Sequence, residues 1–198
     1  CRRHGAHLIL DPSVASVFSV DVLPFADVVA TSLTKYTASE GDLTAGLIAI
    51  NPAGPDAAEL RRRAAAAVEP VFPGDLGRLA AEIGETEAVV ATINANTAQV
   101  AAFLSAHPRI KDVYWALHPE SRDNYRRIAR GPGATGGMIA FTVRGDMEPF
   151  YDRLRLPKGP SFGMKTTLIC PFMYLAHDDL VTTPAGLAEL AASRLDPD

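Results

Sequence analysis

A lysine and two hydroxyl side chains follow a short apolar run near the start of the sequence. The run, residues 26–30, has the letters Ala-Asp-Val-Val-Ala, and Ser32, Thr34 and Lys35 come soon after it. A short run rich in apolar, β-branched residues predicts a buried strand. The reactive side chains therefore stand where a predicted strand ends.

A carboxylate occupies the equivalent place after an earlier apolar run. Residues 7–10, His-Leu-Ile-Leu, predict a second strand, and Asp11 follows it directly. Ligands of open α/β sheets bind in the crevice beyond the carboxyl ends of the strands. We therefore expect Asp11 and Lys35 to face the same crevice.

An amine, an acid and hydroxyl donors in one crevice match three needs of pyridoxal phosphate. This cofactor requires a lysine for its aldehyde, an acid that keeps its pyridine nitrogen protonated, donors for its phosphate and a ring to stack on. Burial lowers the pKa of a lysine and makes its amine nucleophilic. Lys35, Asp11 and the hydroxyls of Ser32 and Thr34 match the first three needs, while the stacking ring is unassigned. The alternative is a solvent-exposed lysine and an aspartate that caps a turn.

Sequence blocks around and beyond these residues resemble a known family. The blocks read Asp-x-Ser and then Ala-Asp-x-Val-x-x-Ser-x-Thr-Lys-Tyr, which ends at Tyr36. They resemble the cystathionine γ-synthase family, the pyridoxal-phosphate enzymes of cysteine and methionine metabolism. The likeness continues in order through residues 46–52, 93–96, 136–141, 158–163 and 167–172. The last two blocks are most similar to the cystathionine γ-synthase branch rather than to the lyases.

The resemblance implies an α/β fold, the fold type I of pyridoxal-phosphate-dependent transferases, which is aspartate aminotransferase-like. Residues 1–90 would form the C-terminal part of the large cofactor-binding domain, and residues 91–198 a small α+β C-terminal domain, incomplete at its end. Relatives are longer and carry a phosphate loop, a stacking tyrosine and an arginine for the substrate carboxylate that have no match here. We therefore expect an interior portion of such an enzyme, which binds the cofactor poorly in isolation.

The resemblance also implies roles for individual residues. Lys35 would bind the cofactor aldehyde and then act as general base and acid, and Asp11 would keep the pyridine nitrogen protonated. Ser32 and Thr34 would donate to the cofactor phosphate. Ser13 stands where the family has a threonine near the ring.

The implied activity is γ-replacement on an activated homoserine, a step of transsulfuration and methionine biosynthesis. Ser161 would help to hold the substrate carboxylate or to position the lysine. One departure bears on the substrate, because Thr166 stands where many relatives have glutamate, and another is Pro12, where relatives often have asparagine. A cystathionine or methionine lyase is one alternative, and a catalytically silent fragment with only a packing role is another.

The elements that must position these residues follow from periodicity and chain breakers. Residues 7–51 predict strand, turn, strand, loop and strand, and a long helix over 85–106 connects the two predicted domains. The other predicted helices cover residues 56–68, 75–83, 119–129, 147–154 and 184–194, and the other strands cover 110–115, 138–143 and 167–170.

Two further motifs match catalytic patterns by letter but not by context. Residues 131–136 spell G-x-G-x-x-G, yet they follow a predicted helix and precede a strand, whereas a dinucleotide site needs the reverse. Residues 32–35 spell the S-x-x-K motif of penicillin-binding proteins without its companion motifs. The five histidines lack metal-ligand spacing except for His4 and His7, so we expect no metal site.

Composition narrows the class of protein and its partners. The 198 residues are 47% apolar with a net charge of −4, which gives no electrostatic reason to expect nucleic acid or an anionic membrane. Two cysteines and no run of 18 apolar residues favour a reducing, cytoplasmic location without a transmembrane helix. The resemblance implies a small amino-acid substrate and a homo-oligomer, dimer or tetramer, with active sites at subunit interfaces.

Overall fold

The structure, a computed structural model, describes residues 1–193. The first part of the chain forms a three-stranded sheet with the order β1-β2-β3. Strand β1 (Ile9–Leu10) runs parallel to β2 (Val28–Ser32), and β2 pairs antiparallel with β3 (Gly46–Ile50). The predicted succession of strand, turn, strand, loop and strand over residues 7–51 is therefore confirmed.

The parallel pairing of β1 and β2 places their carboxyl ends at one edge of the sheet. Strand β2 is buried at Val28 and Val29, and Val29 packs in a core cluster with Val20, Val22 and Ala26. Ile9 lies opposite Val28 and Leu10 opposite Val29, so Asp11 follows directly after the last paired residue of β1. The two strands thus end at the same edge of the sheet, where ligands of open α/β sheets bind.

Strand β1 is shorter than predicted because a side chain takes the place of a strand partner. The carboxylate of Asp27 accepts a hydrogen bond from the Leu8 N–H at 2.8 Å, and the Leu8 carbonyl accepts from the Asp27 N–H at 2.9 Å. These bonds satisfy the backbone of Leu8 outside the regular ladder. Asp27 is itself buried, so its carboxylate hydrogen-bonds to the backbone rather than to solvent.

Three helices follow the sheet at the predicted places. They are α1 (Ala57–Ala67), α2 (Pro73–Glu82) and the long α3 (Thr86–Ala106), which a short 3₁₀ turn joins to α2. Asp56, the first residue of the predicted helix 56–68, is the N-cap of α1, but it has a φ of +56° and makes no side-chain cap. The predicted division between residues 90 and 91 falls inside α3 and stays a prediction.

The helical stretch Pro73–Ala106 is long enough and apolar enough to cross a membrane by length and composition alone. Core helices of soluble proteins meet the same criterion. This finding alone therefore does not place the chain in a membrane. The expectation that the chain does not span a membrane stays a prediction.

The second part of the chain contains a two-stranded antiparallel ribbon with short helices around it. Strand β4 (Ile110–Trp115) pairs with β5 (Ile139–Val143), with an irregularity between Ile110 and Asp112. The helices of this part are α4 (Arg122–Arg126), α5 (Met147–Arg153), α6 (Phe172–Ala176), α7 (Asp178–Thr182) and α8 (Pro184–Ser193). The last predicted helix residue, 194, lies outside the described residues.

Two predicted elements of this part differ from the structure for identifiable reasons. The predicted strand 167–170 is wrong, because only Ile169 forms a bridge, to Lys158, and Pro171, directly after the stretch, lacks an N–H donor. The predicted helix 119–129 shrinks to α4. Residues 128 and 129 leave the helix because they pair with the 20–21 segment: the Asp21 N–H donates to the Ile128 carbonyl at 2.7 Å.

Candidate active site

Asp11 is held at the end of β1 by a neighbouring serine. One carboxylate oxygen, Oδ1, accepts hydrogen bonds from the Ser13 N–H at 2.9 Å and from the Ser13 hydroxyl at 2.5 Å. The other oxygen, Oδ2, has no hydrogen-bond partner among residues 1–193. Asp11 is exposed, so this second oxygen is available to a ligand.

The same serine joins Asp11 to the end of β2. The Ser13 Oγ accepts a hydrogen bond from the Ser32 N–H at 2.8 Å and lies 3.3 Å from the Thr31 hydroxyl. Three residues that the sequence proposed for the site, Asp11, Ser13 and Ser32, are therefore in direct contact. Because Ser13 uses its hydroxyl in both directions, it fixes the carboxylate relative to β2.

Lys35 lies half-buried three residues beyond β2. Its Nζ donates a hydrogen bond to the Ser161 hydroxyl at 2.8 Å and lies 5.1 Å from the centre of the Phe162 ring. Lys35 and Ser161 are 126 residues apart in sequence, and the structure brings them together as proposed. The Lys35 amine is therefore held between a serine oxygen and an aromatic face.

The two hydroxyls proposed for a phosphate differ in their surroundings. The Thr34 Oγ1 accepts from the Ala45 N–H at 3.1 Å and donates to the Ala45 carbonyl at 3.4 Å. The Ser32 Oγ has no hydrogen-bond partner among the described residues. Ser32 is therefore free to donate to an anion, whereas Thr34 must first release the Ala45 peptide.

Tyr36 is a residue of this site whose part sequence reasoning missed. It is 1% exposed, has a φ of +62°, and its hydroxyl donates to the Val14 carbonyl at 2.7 Å while accepting from the Gly137 N–H at 2.8 Å. Burial raises the pKa of Tyr36, so the hydroxyl keeps its proton for the Val14 bond. Its place beside Lys35 in the quoted block was the available signal.

Asn94 is a second such residue, on α3. Its side-chain Oδ1 accepts from the N–H groups of Thr135 at 3.0 Å and Gly136 at 2.8 Å. The loop at 131–137 is therefore fixed to α3 and leads into β5. Tyr36 holds the next residue of the same loop, Gly137.

Taken as a donor set, these groups fit pyridoxal phosphate. The site offers an amine (Lys35), a carboxylate oxygen without a partner (Asp11) and an unengaged hydroxyl (Ser32) at one edge of the sheet. The stacking ring is not identified among the described residues. No group of three or more His, Cys, Asp or Glu side chains within them is arranged to hold a metal ion.

The chain belongs to the family described as Cys/Met metabolism PLP-dependent enzyme, whose profile matches residues 1–183. Members of this family are enzymes, and their cofactor is pyridoxal phosphate. The family that the sequence resembled is thereby confirmed.

The names of curated relatives refer to more than one reaction. An L-2-amino-4-chloropent-4-enoate dechlorinase/desaturase of Streptantibioticus cattleyicolor is 37% identical over 99% of this chain and 39% of its own length. A cystathionine γ-synthase of Neurospora crassa is 30% identical over 86% of this chain and 28% of its own length. The chain thus spans well under half the length of these two relatives.

Solved structures agree on the fold. The cystathionine γ-synthase of Xanthomonas oryzae pv. oryzae, solved with aminoacrylate and cysteine, superposes with a TM-score of 0.80 at 22% identity over 99% of this chain and 50% of that one. The cystathionine γ-lyase of Lactobacillus plantarum, solved with L-serine, gives 0.78 at 18% identity over 99% of this chain and 51% of that one. These likenesses confirm the predicted fold type I and leave the reaction open.

Proposed function

We propose that this chain carries the lysine-bearing part of a pyridoxal-phosphate-dependent transferase of sulfur amino-acid metabolism. The reaction is γ-replacement on an activated homoserine, as in a cystathionine γ-synthase. The observations that carry the proposal are the Lys35 amine on the Ser161 hydroxyl, three residues beyond β2, and a carboxylate that Ser13 ties to the end of the same strand. The relative named cystathionine γ-synthase supports the choice of reaction.

Pyridoxal phosphate, when bound, supplies an electron sink for the pair left at the substrate α carbon. Lys35 would hold the cofactor by its aldehyde, and its Nζ amine would carry protons between the substrate α and β carbons. The carboxylate of Asp11 would keep the pyridine nitrogen protonated. Ser32 would donate to the phosphate, with Thr34 as a second donor, and Ser13 would stand near the ring.

Ser161 acts on Lys35 or on the substrate. Its hydroxyl accepts from the Lys35 Nζ at 2.8 Å in the structure, which holds the amine in one place. When a substrate carboxylate enters, the same hydroxyl can donate to it. The side chain thereby couples substrate entry to release of the amine.

An elimination without an acceptor is the second candidate reaction. The relative that is 37% identical is named for an amino acid with chlorine on carbon 4, the γ carbon. An activated homoserine also carries its leaving group there. The two candidates therefore share departure of a γ substituent and differ in whether a thiol then adds.

Further proposals concern the complete protein. We place residues 91–198 in a small α+β C-terminal domain, and we expect a homo-oligomer with active sites at subunit interfaces, a cytoplasmic location and a place in methionine biosynthesis. The support is the family membership together with the ordinary charge balance of the chain. Sedimentation of the complete protein would measure the oligomeric state.

The central experiment is absorption spectroscopy of the complete protein with added pyridoxal phosphate. Lysine-bound cofactor absorbs in the visible range and turns the protein yellow. We expect this band in the parent protein and in a Lys158→Ala control, and its loss in Lys35→Ala. A band that survives Lys35→Ala would remove Lys35 from this role, and no band in any variant would favour a silent packing role.

Product analysis then separates the reactions. An activated homoserine with cysteine yields a thioether if the protein is a synthase, and a keto acid and ammonia without cysteine if it is a lyase. Release of chloride from a 4-chloro amino acid would support the elimination.

A further inference from the structure

The segment that carries Ser161 lies alongside the segment that carries Lys35. Ser161 contacts Lys35, and the Lys165 N–H donates to the Ser39 carbonyl at 2.9 Å. Between them Gly163 packs so closely that a Cβ atom there would lie 2.6 Å from the Tyr36 nitrogen. The position of the Ser161 hydroxyl therefore depends on how firmly residues 161–165 stay on residues 35–41.

A cluster of ion pairs lies at the Lys165 end of this contact. The Lys165 ammonium lies 2.8 Å from a Glu40 oxygen and 2.9 Å from a Glu85 oxygen. Glu40 belongs to the loop after Lys35, and Glu85 ends the 3₁₀ turn before α3. We name Lys165, Glu40 and Glu85 the Lys165 clasp, since the lysine joins three separate segments.

Lys165 differs from the lysine of a single exposed ion pair, because its ammonium contacts two carboxylates. The hydrogen bond from Lys165 lowers the pKa of Glu85, and the hydrogen bonds to Glu40 and Glu85 raise the pKa of Lys165. Both carboxylates lie within 2.9 Å of one nitrogen, so they are no more than about 6 Å apart. Without the ammonium they would repel each other and drive the segments apart.

We propose that Lys165 is a positioning residue, which holds segment 161–165 in place and thereby keeps the Ser161 hydroxyl and the Phe162 ring over the Lys35 amine. The catalytic role of the Lys35 amine rests on the proposed function, whereas the accessibility of that amine to solvent does not. All three clasp side chains are exposed, with 42%, 56% and 65% accessibility for Lys165, Glu40 and Glu85. Salt should therefore weaken the clasp.

The test measures how fast an amine-reactive ester labels Lys35 in the cofactor-free complete protein, with peptide mass spectrometry as the readout. We expect Lys165→Met to raise the Lys35 labelling rate at least about threefold, since the segment opens more often. Lys165→Arg restores the charge and should return the rate close to that of the parent. The matched control is Arg62→Met, which breaks an exposed ion pair with Glu59 on α1.

Salt and a second lysine complete the design. Raising NaCl to about 1 M should speed Lys35 labelling in the parent, because salt screens the clasp, but should not speed it in Lys165→Met, where salt screens only the repulsion between Glu40 and Glu85. An unchanged Lys35 rate in Lys165→Met would overturn the proposal. An equal rise at Lys158 with a lowered melting temperature would also overturn it, since that is general loosening.

The labelling experiment needs no cofactor. If the complete protein fails to bind pyridoxal phosphate, the proposed function falls while the labelling result still decides the role of Lys165. A Lys165→Met protein that binds the cofactor normally and labels like the parent would leave the proposed function standing without this positioning role.

Discussion

At the scale of single residues, one hydroxyl group holds the acid of the site. Ser13 donates to Asp11 and accepts from the Ser32 backbone, so a side chain with one polar atom joins two parallel strand ends. The bond to a charged carboxylate is of the stronger class of hydrogen bonds. Asp11 therefore has one oxygen fixed and one oxygen left for a ligand.

Replacing Ser13 by alanine should weaken cofactor binding by the complete protein. The variant loses the bond that orients Asp11 and leaves the Ser32 N–H without its partner, at about 1 kcal/mol for each bond. We expect an apparent dissociation constant about five to thirty times higher, measured by titration of the visible band. Ser105→Ala is the matched control, because it removes a hydroxyl bonded within α3. Equal affinity of Ser13→Ala and the parent would contradict the role of Ser13.

At the scale of elements, the contact between Lys35 and Ser161 depends on close approach between two loops. Gly163 has a φ of +77°, which L side chains rarely adopt, and it packs against the Tyr36 backbone. Glycine meets both demands because it has no Cβ atom. The sequence block 158–163 thus carries a packing requirement beside its serine.

Gly163→Ala should lower stability and loosen the contact between Ser161 and Lys35. The added Cβ meets the Tyr36 nitrogen at 2.6 Å, and overpacking of this kind costs about 1–3 kcal/mol. Urea unfolding would measure the loss. Gly159→Ala is the control, because its Cβ would meet no atom within 4 Å. If the two variants unfolded at the same urea concentration, the close approach at Gly163 would not limit stability.

At the scale of the whole molecule, two tyrosines tie the sheet region to the rest of the chain. Tyr36 joins the 12–16 turn to the 136–137 loop through its hydroxyl. Tyr125 packs on the core around Val20 and Val29, but its buried hydroxyl has no hydrogen-bond partner among the described residues. Burial, with a smaller contribution from the charge of ionised Tyr36, raises the pKa of Tyr125 to about 12.

These raised pKa values predict a loss of stability in alkali. Below about pH 10 both tyrosines are neutral in the folded and the unfolded chain, so their contribution is fully present. Above that pH the unfolded chain loses the protons first, and the free energy of unfolding falls up to about pH 12. Tyr125→Phe should fall less steeply than the parent in urea unfolding between pH 9 and 12. Parallel curves for the two proteins would contradict the assignment.

The sequence by itself determined the elements of the sheet and the candidates at its edge. Apolar runs followed by Asp11 and Lys35 predicted two strands with reactive ends, and the parallel pairing of β1 and β2 confirms the shared edge. Local periodicity suffices for this prediction, because a buried strand requires apolar side chains at neighbouring positions in the sequence. The family resemblance added Ser161 and the cofactor.

Only the tertiary structure decided how these residues meet. The hydrogen bond from Lys35 to Ser161 joins residues that are 126 positions apart in the sequence. It depends on a glycine at positive φ and on a lysine between two glutamates, and no periodicity in the sequence predicts these contacts. The shortened α4 follows from pairing of residues 128 and 129 with the distant 20–21 segment, and the predicted strand at 167–170 is reduced to one bridge before Pro171. Long-range contacts select among local preferences of similar free energy, so sequence patterns alone leave them open.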